Sequence, residues 1–482
     1  MREAWHIFKK DVRYLRLEIA FVLAIITIFT WIVRNGNPYG TNVAGVIPGA
    51  WIVALFSITS TYLMARLIHA EAIPGDKQFW VTRPYHWKSL FAAKVLFIIA
   101  FVNVPLLIAR FVVIASGGFP IVASLPGLLW SQAAMFLVSQ IPVITVAALT
   151  SGIVSFILSA LILTFVVSNA FFRGPSDAFS FPTQWIGSSI LLVTMLAVAI
   201  PILFLQYRDR RTRVSRTLGI AGVVVLIILI LQISYTSELN AQVWLSRQLS
   251  QTSPIEVAID SSRLPAVHGL VPPDPETKFV EIDVPLVVSN IPAGQEVQFD
   301  AVAIWYETAD GRQRHFDLAG LGRGSKVTAA EPVAQRALYI ESSFFNSERD
   351  RPGVLHTSVF ATVFGNLQEK TVQLQYEPMN VLRGMQCYKG SFELVRCRSV
   401  LRWPRQLLEV RYDDYAGPIG PLPSYSPFPG EMNLNPIDDR VVGPTPSGAI
   451  TIEIREPIAH VRRDVEVRNF RLADFVASGN RG

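Results

Sequence analysis

Charge is scarce in this chain, and acidic charge is scarcest where it begins. Of 482 residues only 17% are Asp, Glu, Lys or Arg, against about 25% in an ordinary soluble domain. Another 51% are hydrophobic, and the mean hydropathy is +0.36. That is too little charge to cover the surface of a soluble protein of this length. Residues 1–235 hold 7 acidic residues against 18 Lys and Arg, whereas residues 236–482 hold 30 against 25. The net charge of +6 is therefore the difference between a half at +11 and a half at −5. Because the basic half is also the apolar one, a single soluble domain is excluded, and nucleic-acid binding does not explain the positive balance.

Other absences narrow the chemistry. There are two cysteines, both late in the chain, Cys387 and Cys397. The seven histidines (6, 69, 86, 268, 315, 356 and 460) show no metal-ligand spacing, and neither HExxH nor GxSxG occurs. No phosphate-binding loop is present, since Gly320-Leu-Gly-Arg-Gly-Ser-Lys326 fails the GxxxxGK[ST] spacing. The chain is expected to be no enzyme in itself, to carry no cofactor or metal, and to leave any ATP chemistry to a partner.

What the chain does have is long apolar runs. A span needs about 20 mostly apolar residues to cross roughly 30 Å of hydrocarbon. Seven runs qualify: Leu17–Val33, Val46–Ile68, Leu90–Ala115, Leu128–Leu149, Ile153–Phe172, Ile186–Leu205 and Leu218–Tyr235. The fourth and fifth form one 45-residue stretch in which Thr150-Ser151-Gly152 is the only turn signal, so two crossings and a re-entrant hairpin both fit. The first run has a basic leader but no small-residue cleavage site, as in a retained signal-anchor. Thirteen cations gather on one side of these runs: Arg2, Lys9, Lys10, Arg13, Arg16, Lys77, Arg83, Lys88, Arg208, Arg210, Arg211, Arg213 and Arg216. The other side has Arg34, Arg110 and Arg173. By the positive-inside rule the amino terminus is cytoplasmic and everything after Tyr235 is outside, as in a multi-pass protein of a bacterial inner membrane.

Within residues 1–16, helical spacing puts Trp5, Phe8, Val12 and Leu15 on one stripe with Lys9, Lys10, Arg13 and Arg16 beside or opposite it. This predicts an interfacial amphipathic helix that enters a six-span domain over residues 17–205. A basic cytoplasmic loop over 206–217 and a seventh transmembrane helix over 218–235 follow. Inside the spans, Asn103, Arg110, Gln132 and Gln140 are candidates for a pathway, or for hydrogen bonds between packed helices. No acidic residue sits in mid-membrane, which argues against proton- or sodium-coupled transport.

The segment His69–Lys94 sets Phe79 and Trp80 among Asp76, Lys77, Arg83, His86 and Lys88. Aromatics in a charged loop suit headgroup anchoring or docking to a protein. Here the chain resembles the permease subunits of type-2 ABC exporters. That family carries, after its second span, an acidic residue, a Gly, a Pro nine residues later and a Lys ten beyond. This chain has Glu71, Gly75, Pro84 and Lys94 at those positions. The FKKDVRYLR entry segment is also similar, so the resemblance covers roughly residues 1–205. It departs in having a lone acid before the Gly, Asp76 where the family has Thr, and a seventh span with a long appendage. The resemblance implies that Glu71, Gly75, Asp76, Phe79, Trp80, Arg83, Pro84 and Lys94 couple the chain to a cytoplasmic ABC ATPase subunit. It also implies a homo- or hetero-dimer of membrane subunits in the lipid bilayer.

From Ile255 onward the apolar period changes to two, with strand-like runs at Val280–Leu286, Val297–Tyr306, Ala337–Glu341, Ser358–Phe364, Thr371–Tyr376, Leu407–Tyr412, Ile450–Ile454 and Val461–Val467. Residues 236–254 are expected to form a linker helix and 255–482 an all-β extracytoplasmic domain, one or two antiparallel β-sandwiches. Cys387 and Cys397 flank a Tyr388-Lys389-Gly390 turn, so they bridge across a hairpin in an oxidising compartment or stay as two buried thiols. Gly417–Pro446, with eight prolines, reads as a binding loop or an inert strap. The fold class expected is thus an α-helical polytopic membrane domain of about seven helices followed by a β-domain. The function expected is an ABC-exporter permease. The alternative is a non-transporting receptor or scaffold whose β-domain binds a ligand or protein.

Overall fold

The computed structural model describes residues 2–35, 43–70, 86–173, 184–209, 211–232, 254–260, 279–318, 326–382, 385–389, 394–400, 407–412, 415–419, 437–444 and 449–475. The expected division holds: a helical part comes first, and antiparallel β-structure follows it.

Among the described residues, six helical segments are long and apolar enough to cross a membrane: Arg16–Arg34, Trp51–His69, Trp87–Ser116, Ser124–Leu149, Ser189–Asp209 and Thr212–Ile230. The fifth apolar run forms its own helix, Ile153–Arg173, in which Ile153–Thr164 is a shorter apolar stretch. In chain order the helices are α1 (Arg2–Tyr14), α2 (Arg16–Asn35), α3 (Val43–His69), α4 (Trp87–Ile98), α5 (Val104–Ser116), α6 (Ile121–Met135), α7 (Ile141–Leu149), α8 (Ile153–Arg173), α9 (Gln184–Phe204) and α10 (Thr212–Gln232). Three π-turns, Ile99–Asn103, Phe136–Gln140 and Leu205–Asp209, prolong α4, α6 and α9. Outward-facing apolar side chains recur at helical spacing on α2, with Leu17, Phe21, Ile28 and Trp31 all more than half exposed. A surface of that kind needs lipid to cover it.

Two sequence expectations gain detail here. The amphipathic stripe of α1 lies partly on protein, while its first member, Trp5, stays half exposed. Phe8 packs against Phe97 and Phe101, and the fully buried positions are Ile7 and Asp11. Only Leu15 separates α1 from α2, its N–H bonded to Asp11 O and its carbonyl accepting from Ile19 N. The basic loop expected over 206–217 is largely helical: a π-turn runs to Asp209 and α10 begins at Thr212, so Arg213 and Arg216 ride on its first turns. The linker segment 236–253 lies outside the described residues.

The β-part is built on two long strands. β1 (Glu256–Ile259), β2 (Phe279–Ser289), β5 (Asp317–Leu318) and β7 (Val333–Glu341) form one sheet in the order β1-β2-β7-β5. A second sheet runs β14-β11-β10-β9, from Ile437–Pro444, Leu394–Val400, Met385–Lys389 and Met379–Leu382. The largest runs β13-β12-β15-β8-β3-β4, from Tyr415–Ile419, Leu407–Tyr412, Ile450–Phe470, Gly353–Val372, Glu296–Glu307 and Gln313–His315, with β6 (Lys326–Val327) pairing β3. Ile450–Ile454 and Val461–Val467 are therefore one strand, and the run from Ser358 continues to Val372 before any second strand begins.

One half of this large sheet faces the first sheet over a core that includes Ile282, Val302, Leu338 and Leu355. The other half faces the second sheet over a core that includes Val372, Met385, Ile450 and Ile452. The chain thus holds two sandwiches that share β8 and β15. At their junction Arg455 is buried with Glu296 at 2.7 Å and Glu453 at 3.3 Å. The expected bridge is present: Cys387 and Cys397 stand directly opposite on β10 and β11 and are disulfide-bonded. Asp438 and Asp439 pair with Ser399 and Arg398 within the second sheet.

Gly353 tests the packing of the first sandwich. A Cβ there would fall on the Tyr306 ring and 2.6 Å from Glu307 O, whereas a Cβ on Gly152 would meet nothing within 4 Å. Gly353→Ala is expected to cost the β-part roughly 1–3 kcal/mol through overpacking, read as a lower midpoint of thermal loss of β-sheet circular dichroism in the full chain. Gly152→Ala should leave that midpoint in place, and equal midpoints for the two variants would contradict the packing described.

Candidate functional site

Proline decides where the helical part turns polar. Pro105 and Pro142 have no N–H to give to the carbonyls one turn back, Phe101 and Val138. At both places the helix shifts to π-bonding: Val104 N–H reaches Ile99 O, and Ile141 N–H reaches Phe136 O. Each π-turn ends in an amide side chain two residues before the proline, Asn103-Val-Pro105 in one helix and Gln140-Ile-Pro142 in the other. A π-turn takes in one extra residue, so Gln132 and Gln140, eight apart in sequence, return to the same face as a seven-residue spacing would.

The four polar residues singled out from the sequence meet in one network. Asn103 Nδ2 donates to Gln140 Oε1 at 2.8 Å, and Gln140 Nε2 donates back to Asn103 Oδ1 at 3.2 Å. Asn103 Oδ1 also accepts from Gln132 Nε2 at 2.7 Å, and Asn103 Nδ2 reaches Ile98 O at 3.2 Å. Gln132 Oε1 in turn accepts from Arg110 Nη1 at 3.3 Å, and Ser131 Oγ accepts from the same nitrogen at 3.2 Å. All five side chains are buried, with Arg110 only 1% exposed. A guanidinium held among amides inside an apolar bundle is costly and marks a functional position by default. Ser131 carries no sequence signal beyond its neighbour Gln132.

A second buried polar contact lies nearer the start of α4. Lys94 Nζ is 2.8 Å from Asp11 Oδ2, with both side chains at most 2% exposed. Glu3 Oε1 accepts from the His86 N–H at 3.1 Å, so α1 runs alongside α4 in the same direction. The Ser89 hydroxyl, followed by the His86 amide, holds the Glu3 carboxyl below its ordinary pKa. Lys94, expected on the docking loop, is therefore turned inward onto α1. Glu71, Gly75, Asp76, Phe79, Trp80, Arg83 and Pro84 lie outside the described residues. Asp11 was legible only as one of two acids, with Glu3, in a basic helix. Among the described residues no group of His, Cys, Asp and Glu is arranged to hold a metal ion.

Removing Lys94 would leave the buried Asp11 carboxylate with the partly exposed Lys10 ammonium at 3.6 Å in place of its contact at 2.8 Å. Lys94→Met is expected to destabilise the helical part by roughly 3–5 kcal/mol, and Asp11→Leu with Lys94→Met to recover most of that loss. Thermal unfolding of the detergent-solubilised chain reads both. A double variant no more stable than Lys94→Met would show that the pair is not what holds α1 to α4.

No protein-family model matches the chain, and no curated protein sequence does. Among solved structures, the crystal structure of red sea bream transglutaminase aligns with 49% of this chain, at 8% identity and a TM-score of 0.13. The chain spans about a third of that structure, 35%. A likeness of this size carries no argument about fold or activity.

Proposed function

We propose that the chain is the membrane-spanning permease subunit of an ATP-driven exporter, coupled to a separate cytoplasmic ATPase through the loop between Glu71 and Lys94. The observation that carries this reading is the buried network of Asn103, Arg110, Ser131, Gln132 and Gln140. It puts a chain of polar side chains inside helices that are otherwise apolar and gives a solute hydrogen-bonding partners within the bundle. No acidic residue falls in the middle of an apolar run, which fits a path driven by a partner's ATP rather than by protons or sodium.

Three further features support the assignment. The Gly75, Pro84 and Lys94 spacing resembles the coupling segment of type-2 ABC permeases. The thirteen-to-three distribution of cations supports a cytoplasmic place for that segment and an outer one for the β-part, as in a bacterial inner-membrane protein. The bridge between Cys387 and Cys397 suits an oxidising exterior. Two copies, or a copy and a related chain, would then enclose the path. The receptor reading draws on the size of the β-part and predicts no ATPase partner.

Co-expression with an ATP-binding-cassette protein encoded beside this gene provides the test. The exporter reading expects the two to co-purify, and expects Phe79→Ala, Trp80→Ala and Arg83→Ala together to reduce co-purification at least about tenfold, the loss of more than one interface anchor. No association favours the receptor, and association that survives the triple variant counts against coupling through this loop.

A further inference from the structure

We propose that Gln386 latches the outer β-part to the helix that carries Arg110, and that this latch controls access to the buried network from the outer end. The latch sits at the end of α5, just past Ser116. Phe119 N–H bonds Ile114 O and Gly118 N–H bonds Ala115 O, both at 3.1 Å, with Gly118 at φ +73°. This is the Schellman ending, which needs a left-handed residue where Gly118 stands and packs the next side chain back on the helix. Phe119 does so, sharing a small core with Ile114 and Leu128.

The Gly117 carbonyl remains at the negative end of the helix dipole, where a donor is favoured. Gln386 Nε2 donates to it at 2.6 Å. The same nitrogen donates to Asn380 Oδ1 at 3.1 Å. One amide group thus places a proton on each side of the boundary between the helical and β-parts. The Gly117 carbonyl can only accept, which fixes which way the amide points.

Gln386 is 7% exposed and adjoins Cys387, so the disulfide to Cys397 ties the latch to the sheet behind it. On the other side, Arg110 lies seven residues, two helical turns, before Gly117 on the same face of α5. Ser131 and Gln132 come down the partner helix from the same turn. Gln386 is therefore a positioning residue: a tilt of the β-part draws on the turn that holds both strands of the network together. The latch concerns access to the network and does not depend on what, if anything, crosses the membrane.

The native cysteines are bonded to each other, so Ser131→Cys gives the chain one reactive thiol. Its labelling by a membrane-impermeant maleimide, in the full chain in lipid nanodiscs, reads access from outside. With Gln386 present labelling should be slow. Gln386→Glu, nearly isosteric but without protons to donate, and Gln386→Ala should each raise the rate about tenfold by releasing one short hydrogen bond. Unchanged rates with the disulfide intact overturn the latch. If either variant fails to form the disulfide, hydrogen exchange of the wild-type chain decides. Residues 111–123 should exchange about fivefold faster after Cys387–Cys397 is reduced, as in local opening, and equal rates overturn the proposal.

Discussion

A proline inside a helix leaves a carbonyl without its donor, and in hydrocarbon no water can supply one. Pro105 and Pro142 impose that problem on two neighbouring helices. Both resolve it with a π-turn that ends in an amide, and the two amides then satisfy each other. Most of the polar interior follows from this. The extra residue of the second π-turn brings Gln132 under Asn103, and Gln132 in turn accepts from Arg110. In an unbroken α-helix the eight-residue spacing would leave Gln132 and Gln140 about 80° apart, and the π-turn closes that offset.

The helix running from Trp87 to Ser116 collects these contacts along its length. Near its start Lys94 holds α1 through Asp11. At its π-turn Asn103 meets Gln140, two turns later Arg110 meets Ser131 and Gln132, and at its end Gly117 accepts from Gln386. The entry helix, the bundle interior and the β-part are therefore in contact with one rod of about 45 Å, at 1.5 Å per residue. Packed helices of this kind move as bodies, so displacement at one end is felt at the other. That is a useful property for a subunit driven from the cytoplasm, and equally for one that senses something outside.

Much of this was legible in residue patterns, because apolar length and period are strong signals. Six of the seven apolar runs overlap helices long and apolar enough to span, while the fifth gives only the shorter stretch Ile153–Thr164, and Asn103, Arg110, Gln132 and Gln140 stood out simply as polar groups where none is cheap. The disulfide followed from two cysteines around a turn. Other features depend on partners far away in sequence. Asp11 reads as part of a charged surface until Lys94 arrives from α4 to bury it. Gln386 is an ordinary strand residue until Gly117 presents its carbonyl. The joining of Ile450–Ile454 with Val461–Val467 was hidden by Glu456 and Pro457, polar and strand-breaking residues that sit where two sandwiches share one strand. The segment from Glu71 to Pro84, on which the family resemblance rests, lies outside the described residues.

We propose that the Asn103 network is part of a path worked by a partner's ATP. The most direct measurement is the ATP turnover of the purified complex between this chain and its ATPase, with Asn103→Leu compared with the unaltered chain. The complex is expected still to assemble but its turnover to fall several-fold, because the hub joining the two π-turned helices is gone. Unchanged turnover in an intact complex would contradict it and reduce the network to packing between helices.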